Sequence, residues 1–287
     1  MRGNKQLNIP AAETIRRRSS VRSYQPVQLP SSLLAELEDY ASSLEGPFSP
    51  RVRPVFLEDS SFREKSGRKI GTYGIIKGAK HYIAGVVEKG DYDLEQFGFV
   101  FEHLILYATF LGLGTCWLGG TFKHTDFVKA VGLESSEILP VVTPVGYPAE
   151  KKRLLEKAMK FVSGSKKRKP WEQLFFHRSF DYPLEEGEAG PFAEPLEMVR
   201  LAPSASNHQP WRIVKDESSW HFFMNYSPLV NKAVGFDIQR VDMGIAMCHF
   251  DMLAQEQGFK GRWVADKNSA PTSGAHNLYY VISWHWI

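Results

Sequence analysis

The stretch from Ala202 to Trp211 concentrates small, amide and proline residues in a pattern that could position a polar ligand. The hydroxyl of Ser204 and the amides of Asn207 and Gln209 lie between two prolines and before a tryptophan. A stiff loop of this kind can present short polar groups to a flat polar ligand at little entropic cost. The same residues equally suit a turn in which Ser and Asn bond their own backbone. The loop alone therefore leaves both interpretations open.

A second stretch, from Thr14 to Tyr24, carries four arginines and three serines. Guanidinium groups bind phosphate oxygens in bidentate fashion and keep their charge at any working pH. The plain alternative is a basic, solvated helix face, and we assign Arg16 and Arg17 to it. The remaining Arg and Ser residues are candidates for binding an anion.

Hydrophobic periodicity predicts the elements around these stretches. A helix is expected to start at Pro195 and to end before the loop, which is followed by a strand at 211–214. A long helix, apolar nearly all round, is predicted from near Asp93 to a glycine stop at Gly112 and Gly114. The pattern also predicts helices from Ser31 and over 126–131, and buried strands over 82–87 and 140–146.

The chain contains an internal repeat. The stretch from Asp237 to Gly258 resembles that from Asp93 to Gly114, and both of its ends lie 144 residues further along. Both stretches open with Asp and an aliphatic residue, continue as a mostly apolar helix and stop at Gly. A basic run at 164–170 separates the halves and is interpreted as a solvated linker. The expected organisation is a first half at 1–163, the linker at 164–170 and a second half at 171–287.

Composition limits the function classes. The 287 residues are 43% hydrophobic and 23% charged, as in globular proteins, and a net charge of +3 gives no reason to expect nucleic acid. Two cysteines without a CxxC pair, and no apolar leader, fit the cytoplasm. The most apolar stretch carries Glu102 and His103, so we expect a buried helix and no membrane span. The histidines show no metal-ligand spacing, and no metal is expected.

Four motifs together resemble the FMN-dependent nitroreductase family, in a branch with two subunits fused into one chain. They are the arginine segment, Leu-Gly-Leu-Gly-Thr-Cys-Trp-Leu-Gly-Gly at 111–120, Val-Gly-Tyr-Pro at 145–148 and the loop at 202–211. The resemblance implies an α+β, nitroreductase-like fold. Two related lobes, each with a mixed, mostly antiparallel sheet flanked by helices, would mimic the family's homodimer. The chain would then be a monomer acting as a pseudo-dimer.

The resemblance also implies the residues that bind the flavin. Arg18 and Ser20 match positions at the phosphate end, and Arg22 matches one near the pyrimidine edge. A basic position that reaches the phosphate matches Lys152 or Arg153, and we choose Arg153. A backbone N–H in the glycine turn would meet flavin N5. The full cofactor-binding set is Arg18, Ser19, Ser20, Arg22, Leu118, Gly119, Gly120, Arg153, Pro203, Ser204, Ala205 and Asn207.

Each half lacks what the other keeps. The first half has a loop at 46–54 where the family loop should be, without its Asn or its Gln-Pro-Trp. The second half has Asp181 where Arg22 would be needed, and an anion there would repel a phosphate. We therefore expect one FMN per chain.

The predicted function is an FMN-dependent oxidoreductase of nitroreductase type. Hydride would pass from NAD(P)H to flavin N5 and then to an electron-poor small molecule such as a nitroaromatic or a quinone, in ping-pong fashion. No protein side chain is assigned as a catalytic acid or base. Two alternatives stay open: a flavin-binding or flavin-storing protein with little turnover, and an interaction module whose flavin site has degenerated.

Overall fold

The structure is a computed structural model that describes residues 9–60, 71–150, 167–231, 235–271 and 277–287. The chain divides into two compact units. Unit 1 comprises Met1–Ile9 and Arg17–Ser163, and unit 2 comprises Pro10–Arg16 and Gly164–Ile287. The first helix, α1 (Ala11–Arg17), therefore lies almost wholly in unit 2.

Unit 1 is built on a four-stranded sheet in the order β1-β2-β4-β3, antiparallel throughout. Its strands are β1 (Val52–Glu58), β2 (His81–Glu88), β3 (Gly114–Thr115) and β4 (Glu137–Gly146). Its helices are α2 (Ser31–Ser43), α3 (Asp93–Phe110) and α4 (His124–Val131). Every residue of α3 from Leu94 to Thr109 is buried, as expected of a helix that is apolar nearly all round.

Unit 2 is built on a six-stranded sheet in the order β6-β5-β7-β8-β10-β9. Strands β5 and β7 pair in parallel and the other neighbours are antiparallel, so the sheet is mixed. The strands are β5 (Phe175–His177), β6 (Ser179–Pro183), β7 (Trp211–Lys215), β8 (Ser219–Asn225), β9 (Gly261–Val264) and β10 (Leu278–Trp286). The helices are α5 (Ala193–Leu201), α6 (Pro228–Asn231) and α7 (Ile238–Glu256).

Large aromatic side chains fill the core of unit 2. Trp211, Trp220, Phe222, Phe250 and Trp284 are each fully buried. Phe250 of α7 meets Phe222 of β8 edge to face, with ring centroids 5.5 Å apart. Edge-to-face packing of aromatic side chains thus holds α7 against the sheet.

Two features of the division differ from the sequence expectation. Residues 10–16 were placed in the first half but lie in unit 2, because Ala11 N donates to Glu256 Oε1 at 3.1 Å and Arg16 pairs with Glu194 at 3.3 Å. The basic run at 164–170 also belongs to unit 2. The α+β architecture with two helix-flanked sheets is confirmed.

Across the described residues, none of the helices is long and apolar enough to cross a membrane. The stretch around Glu102 lies in α3, a buried helix of unit 1.

Candidate functional site

The arginine segment of unit 1 runs as extended backbone along the end of the sheet. Val21 N donates to Thr115 O of β3 at 2.8 Å, and Tyr24 N donates to Lys77 O at 2.9 Å. Ser20 forms an isolated β-bridge with Thr115. The sheet therefore fixes the backbone from which the Arg18, Ser20 and Arg22 side chains project.

Two glycines allow this close approach. A Cβ on Gly114 would lie 2.8 Å from the side chain of Val21. Gly78 has φ +84, and a Cβ there would collide with the carbonyl oxygen of Tyr24. Side chains at these two positions would push the arginine segment away from the sheet.

Two guanidinium groups of this segment, those of Arg18 and Arg22, contain buried nitrogens without a hydrogen-bond partner among the described residues. The Arg18 side chain is 8% exposed, and its Nε lies 3.9 Å from Oε1 of Glu102, a buried carboxylate on α3. Glu102 also accepts a hydrogen bond from Trp117 Nε1 at 2.9 Å. Arg18 Nη1 and Arg22 Nε are buried and find no hydrogen-bond partner within the described residues. Unpaired donors of this kind suit an acceptor supplied by a ligand.

The glycine turn of unit 1 offers fewer free backbone N–H groups than predicted. Leu118 is buried, and its N–H and C=O both pair with Val142 of β4, at 3.0 and 3.1 Å. Its N–H is therefore already used, which removes Leu118 from the candidate donors to a flavin. Gly119 is half-buried and Gly120 is exposed, and neither N–H donates a hydrogen bond in the described part of the chain. These two glycines stay predicted flavin contacts.

In unit 2 the loop from Ala202 to Trp211 adopts an unusual backbone. Ser206, Asn207 and Gln209 have φ of 51, 56 and 51, in the left-handed region that side chains other than Gly rarely adopt. Such conformations each cost on the order of 1–3 kcal/mol and persist only where the surroundings impose them. Ser204 Oγ accepts a hydrogen bond from Gln209 N at 2.9 Å, which closes the loop on itself.

The residues just before Trp171 hold this loop in place. Arg168 Nη1 donates to Asn207 Oδ1 at 2.8 Å, and Asn207 Nδ2 donates to Lys167 O at 2.8 Å. Lys169 N donates to Gln209 Oε1, also at 2.8 Å. Arg168 and Lys169 of the described part of the basic run are thus packed on the loop, whereas Lys167 and Pro170 are exposed. A run of Lys and Arg looks solvated in sequence, because the residues that it bonds lie 39 and 40 residues away.

This packing brings two cations, Lys169 and Arg212, to one carbonyl oxygen of the loop. Lys169 Nζ and Arg212 Nη1 both donate to Gln209 O, at 3.3 and 3.1 Å. Burial, reinforced by repulsion from Arg212, lowers the pKa of Lys169 to about 8. Burial lowers the pKa of Arg212 to about 10. Burial and the same two cations lower the pKa of His208. The loop therefore lies in a positive field that favours anionic ligands.

The predicted members of the loop have different surroundings. Pro203, Ser204, Ala205 and Asn207 are half-buried and remain predicted flavin contacts, whereas Trp211 is fully buried in the core. Sequence reasoning missed two contributors. Arg168 was hidden in the basic run, and Asp242 of α7, whose Oδ1 accepts from Ala205 N at 2.9 Å, was hidden among apolar residues.

The second-half counterpart of the arginine segment carries a carboxylate. Asp181 is exposed on β6, and its Oδ2 accepts a hydrogen bond from Ser179 Oγ at 3.2 Å. Ser19 of unit 1 is also exposed. Arg153 lies outside the described residues.

Two cavities are described within unit 1. The larger, about 800 Å³, is lined by the 46–54 loop together with α2 and β1. One of its two arginines, Arg53, is committed to a bidentate pair with Glu137, at 3.0 and 2.7 Å. The smaller, about 150 Å³, lies beside Ser19 and Val21 of the arginine segment. The volume of the larger cavity does not by itself indicate which ligand would bind, and we assign none.

A sequence model of the family described as Putative TM nitroreductase matches residues 11–254. Among solved structures, the chain is similar to a putative nitroreductase from Thermotoga maritima, at 20% identity and a TM-score of 0.61, over 98% of this chain and 94% of that chain. This likeness extends over both units and supports the nitroreductase-like fold. A search of curated proteins finds no match.

Shorter nitroreductases match half of the chain. A nitroreductase family protein from Clostridium novyi has 18% identity and a TM-score of 0.41, over 50% of this chain and 89% of that chain. A nitroreductase from Bacteroides fragilis, solved with bound FMN, has 20% identity and a TM-score of 0.40, over 51% and 92%. With the family match extending over most of the sequence, the chain belongs to the family described as Putative TM nitroreductase.

Proposed function

We propose that the protein is an FMN-dependent oxidoreductase that binds one FMN per chain. Arg18 and Ser20 bind the phosphate end, with Ser19 between them and Arg153 as a further basic contact. Arg22 lies at the pyrimidine edge. The remaining contacts are the backbone of Gly119 and Gly120 and the loop residues Pro203, Ser204, Ala205 and Asn207.

One observation supports this assignment most strongly. Arg18 Nη1 and Arg22 Nε are buried donors that no described residue satisfies. A dianionic phosphate and the polar edge of a flavin ring supply the acceptors that these two groups lack. The glycines beneath them keep the arginine backbone tight against the sheet, so the donors are preorganised.

The loop of unit 2, taken by itself, also carries groups that suit a flavin. The Ser204 Oγ accepts one hydrogen bond from Gln209 N and retains its own proton for donation. The cations around Gln209 favour an anionic ligand. The Ser179–Asp181 pair offers no cation at the corresponding second position, which supports one flavin per chain.

When bound, FMN would supply the redox chemistry, taking hydride from NAD(P)H and delivering it to an electron-poor acceptor. The protein's part is to bind and orient. Arg22, permanently charged, favours negative charge at the pyrimidine edge. The N–H groups of Gly119 and Gly120 would favour negative charge at N5 of the bound flavin. Protons come from solvent.

The first experiment is a titration of the full chain with FMN, followed by absorbance and fluorescence, with bound flavin counted per chain. We expect about one equivalent, and then FMN-dependent oxidation of NADH or NADPH with a quinone or nitroaromatic acceptor. Flavin binding without turnover would favour the storage alternative. The variant Arg22→Met should lose most of the affinity, whereas Arg178→Met, at an exposed position of the second half, should not. Protein that binds no FMN contradicts the proposal.

A further inference from the structure

Asp242 is a buried carboxylate that holds the loop of unit 2. It lies on α7 with 2% of its surface exposed. Its Oδ1 accepts a hydrogen bond from the backbone N–H of Ala205 at 2.9 Å. Its Oδ2 makes no hydrogen bond within the described residues. Among the described hydrogen bonds, this one joins the loop to the long helix behind it.

The loop needs such an anchor. Ala205 is followed by three residues with positive φ, Ser206, Asn207 and Gln209, and each one strains the backbone. The same turn places Ser204, whose hydroxyl accepts from Gln209 N. Fixing Ala205 N therefore fixes the start of the strained turn relative to a helix that is itself buried.

The matching position in the first half of the repeat shows that the carboxylate occurs together with the loop. The position 144 residues before Asp242 is Gly98 of α3, which has no side chain to reach a loop. In unit 1 the loop at 46–54 is tied to α3 by Gln96, whose Oε1 accepts from Phe48 N at 2.9 Å. The carboxylate is therefore present in the half that keeps the Pro-Ser-x-x-Asn loop and absent from the half that lost it.

The anchor is electrostatically costly. Burial raises the pKa of Asp242 well above its ordinary range, and the negative charge of Asp237 at the start of α7 adds to this, while the hydrogen bond from Ala205 opposes it. These are the charged and hydrogen-bonding groups that act on it among the described residues. A buried acidic group kept at such cost points to a role beyond packing.

We propose that Asp242 is a positioning residue for flavin binding: its acceptor oxygen on Ala205 N holds the loop in the conformation that presents Ser204 and Asn207 to FMN. This inference rests on the proposed function. A neutral amide at 242 presents the same acceptor, so the position requires an acceptor and not a negative charge.

The test compares Asp242→Ala, Asp242→Asn and the matched control Asp251→Ala in the full chain. Asp251 is a buried carboxylate on the same helix, but its Oδ1 accepts from Trp263 Nε1 at 3.1 Å and, among the described hydrogen bonds, it does not bond the loop. The first readout is hydrogen exchange of the backbone amides of residues 205–209 in flavin-free protein, and the second is the FMN dissociation constant. We expect Asp242→Ala to speed loop exchange and weaken FMN binding by about tenfold each.

The conservative variant separates positioning from general destabilisation. Asp242→Asn should restore slow exchange and tight FMN binding, and Asp251→Ala should leave both unchanged. Unchanged loop exchange in Asp242→Ala, or an Asp242→Asn variant that loses affinity, overturns the inference. If Asp242→Ala does not fold, Asp242→Asn alone decides. If the wild type binds no FMN, the proposed function fails, and the exchange data still decide whether Asp242 holds the loop.

Discussion

The two long buried helices use their carboxylates in opposite ways. On α3, Glu102 has the guanidinium of Arg18 at 3.9 Å and accepts from Trp117. On α7, Asp242 and Asp251 accept from neutral N–H groups. A buried acid on α3 thus lies beside a cation, whereas the two buried acids on α7 form no ion pair with any described residue. The difference teaches that a repeated scaffold can keep its apolar pattern while its polar positions take on separate tasks.

The largest expected effect concerns Asp251. Burial raises its pKa from 3.8 to about 6, against the hydrogen bonds from Trp263 and Gln255. Because the folded state holds the proton more tightly, stability is greatest below about pH 4 and falls as pH rises to about 6. A shift of about two pKa units corresponds to about 3 kcal/mol. Asp251→Asn should remove this contribution and leave the one made by Asp242, as measured by urea unfolding between pH 4 and 8.

The exposed Asp181 provides the control for that experiment, because Asp181→Asn should keep the wild-type slope. If Asp251→Asn retained the whole pH dependence, the contrast between the helices would not hold for this residue.

Arg18→Met tests the opposite arrangement on α3. The loss of charge-assisted hydrogen bonds to phosphate should weaken FMN binding about 100-fold, or about 2.7 kcal/mol. It should also lower the melting temperature, because Glu102 loses its cation. The double variant with Glu102→Gln should recover stability without recovering affinity. Fluorescence titration and thermal unfolding measure the two effects, and Arg16→Met, exposed and paired with Glu194, is the matched control.

Gly85→Ala probes how each helix packs on its sheet. A Cβ on Gly85 of β2 would collide with the rings of Phe97 and Phe101 on α3, both fully buried. Overpacking of this kind should cost about 2 kcal/mol of unfolding free energy. Gly258→Ala, which follows α7 and has open space around its Cβ position, should cost about 1 kcal/mol through its positive φ alone. Chemical denaturation measures the loss of unfolding free energy in each variant. Equal losses in Gly85→Ala and Gly258→Ala would contradict the packing argument.

The smallest effect is expected at Gln96. Gln96→Leu removes the neutral hydrogen bond that ties the 46–54 loop to α3, at a cost of about 1 kcal/mol. FMN affinity should stay at the wild-type value, in contrast to Asp242→Ala. A loss of affinity in Gln96→Leu would mean that both loops serve flavin binding.

Much of the secondary structure could be predicted because the local spacing of apolar residues indicates it. The predicted long helix from near Asp93 is α3, the strand after the loop is β7, and the second repeat begins with Asp237 as the N-cap of α7. Each of these elements buries a contiguous apolar pattern, which needs no knowledge of its partners.

The rest depended on distant contacts. The packing of Arg168 on Asn207 joins residues that nothing in the local pattern relates, and a Lys/Arg run resembles a linker wherever it stands. The Leu118 N–H is not available to a flavin, because it already donates to the carbonyl oxygen of Val142 on β4. Asp242 sits in an apolar run where a single acid gives no signal of the backbone N–H it meets.

The assignment of α1 to unit 2 has a consequence for biosynthesis. Ala11 leaves the ribosome well before its partner Glu256, which is 245 residues further along the chain. Unit 2 therefore cannot complete its fold until α7 has been synthesised, whereas the described strands of unit 1 are all synthesised by Gly146. If a ribosome stalled after unit 1, the nascent chain would contain α1 without the unit 2 residues that α1 packs against.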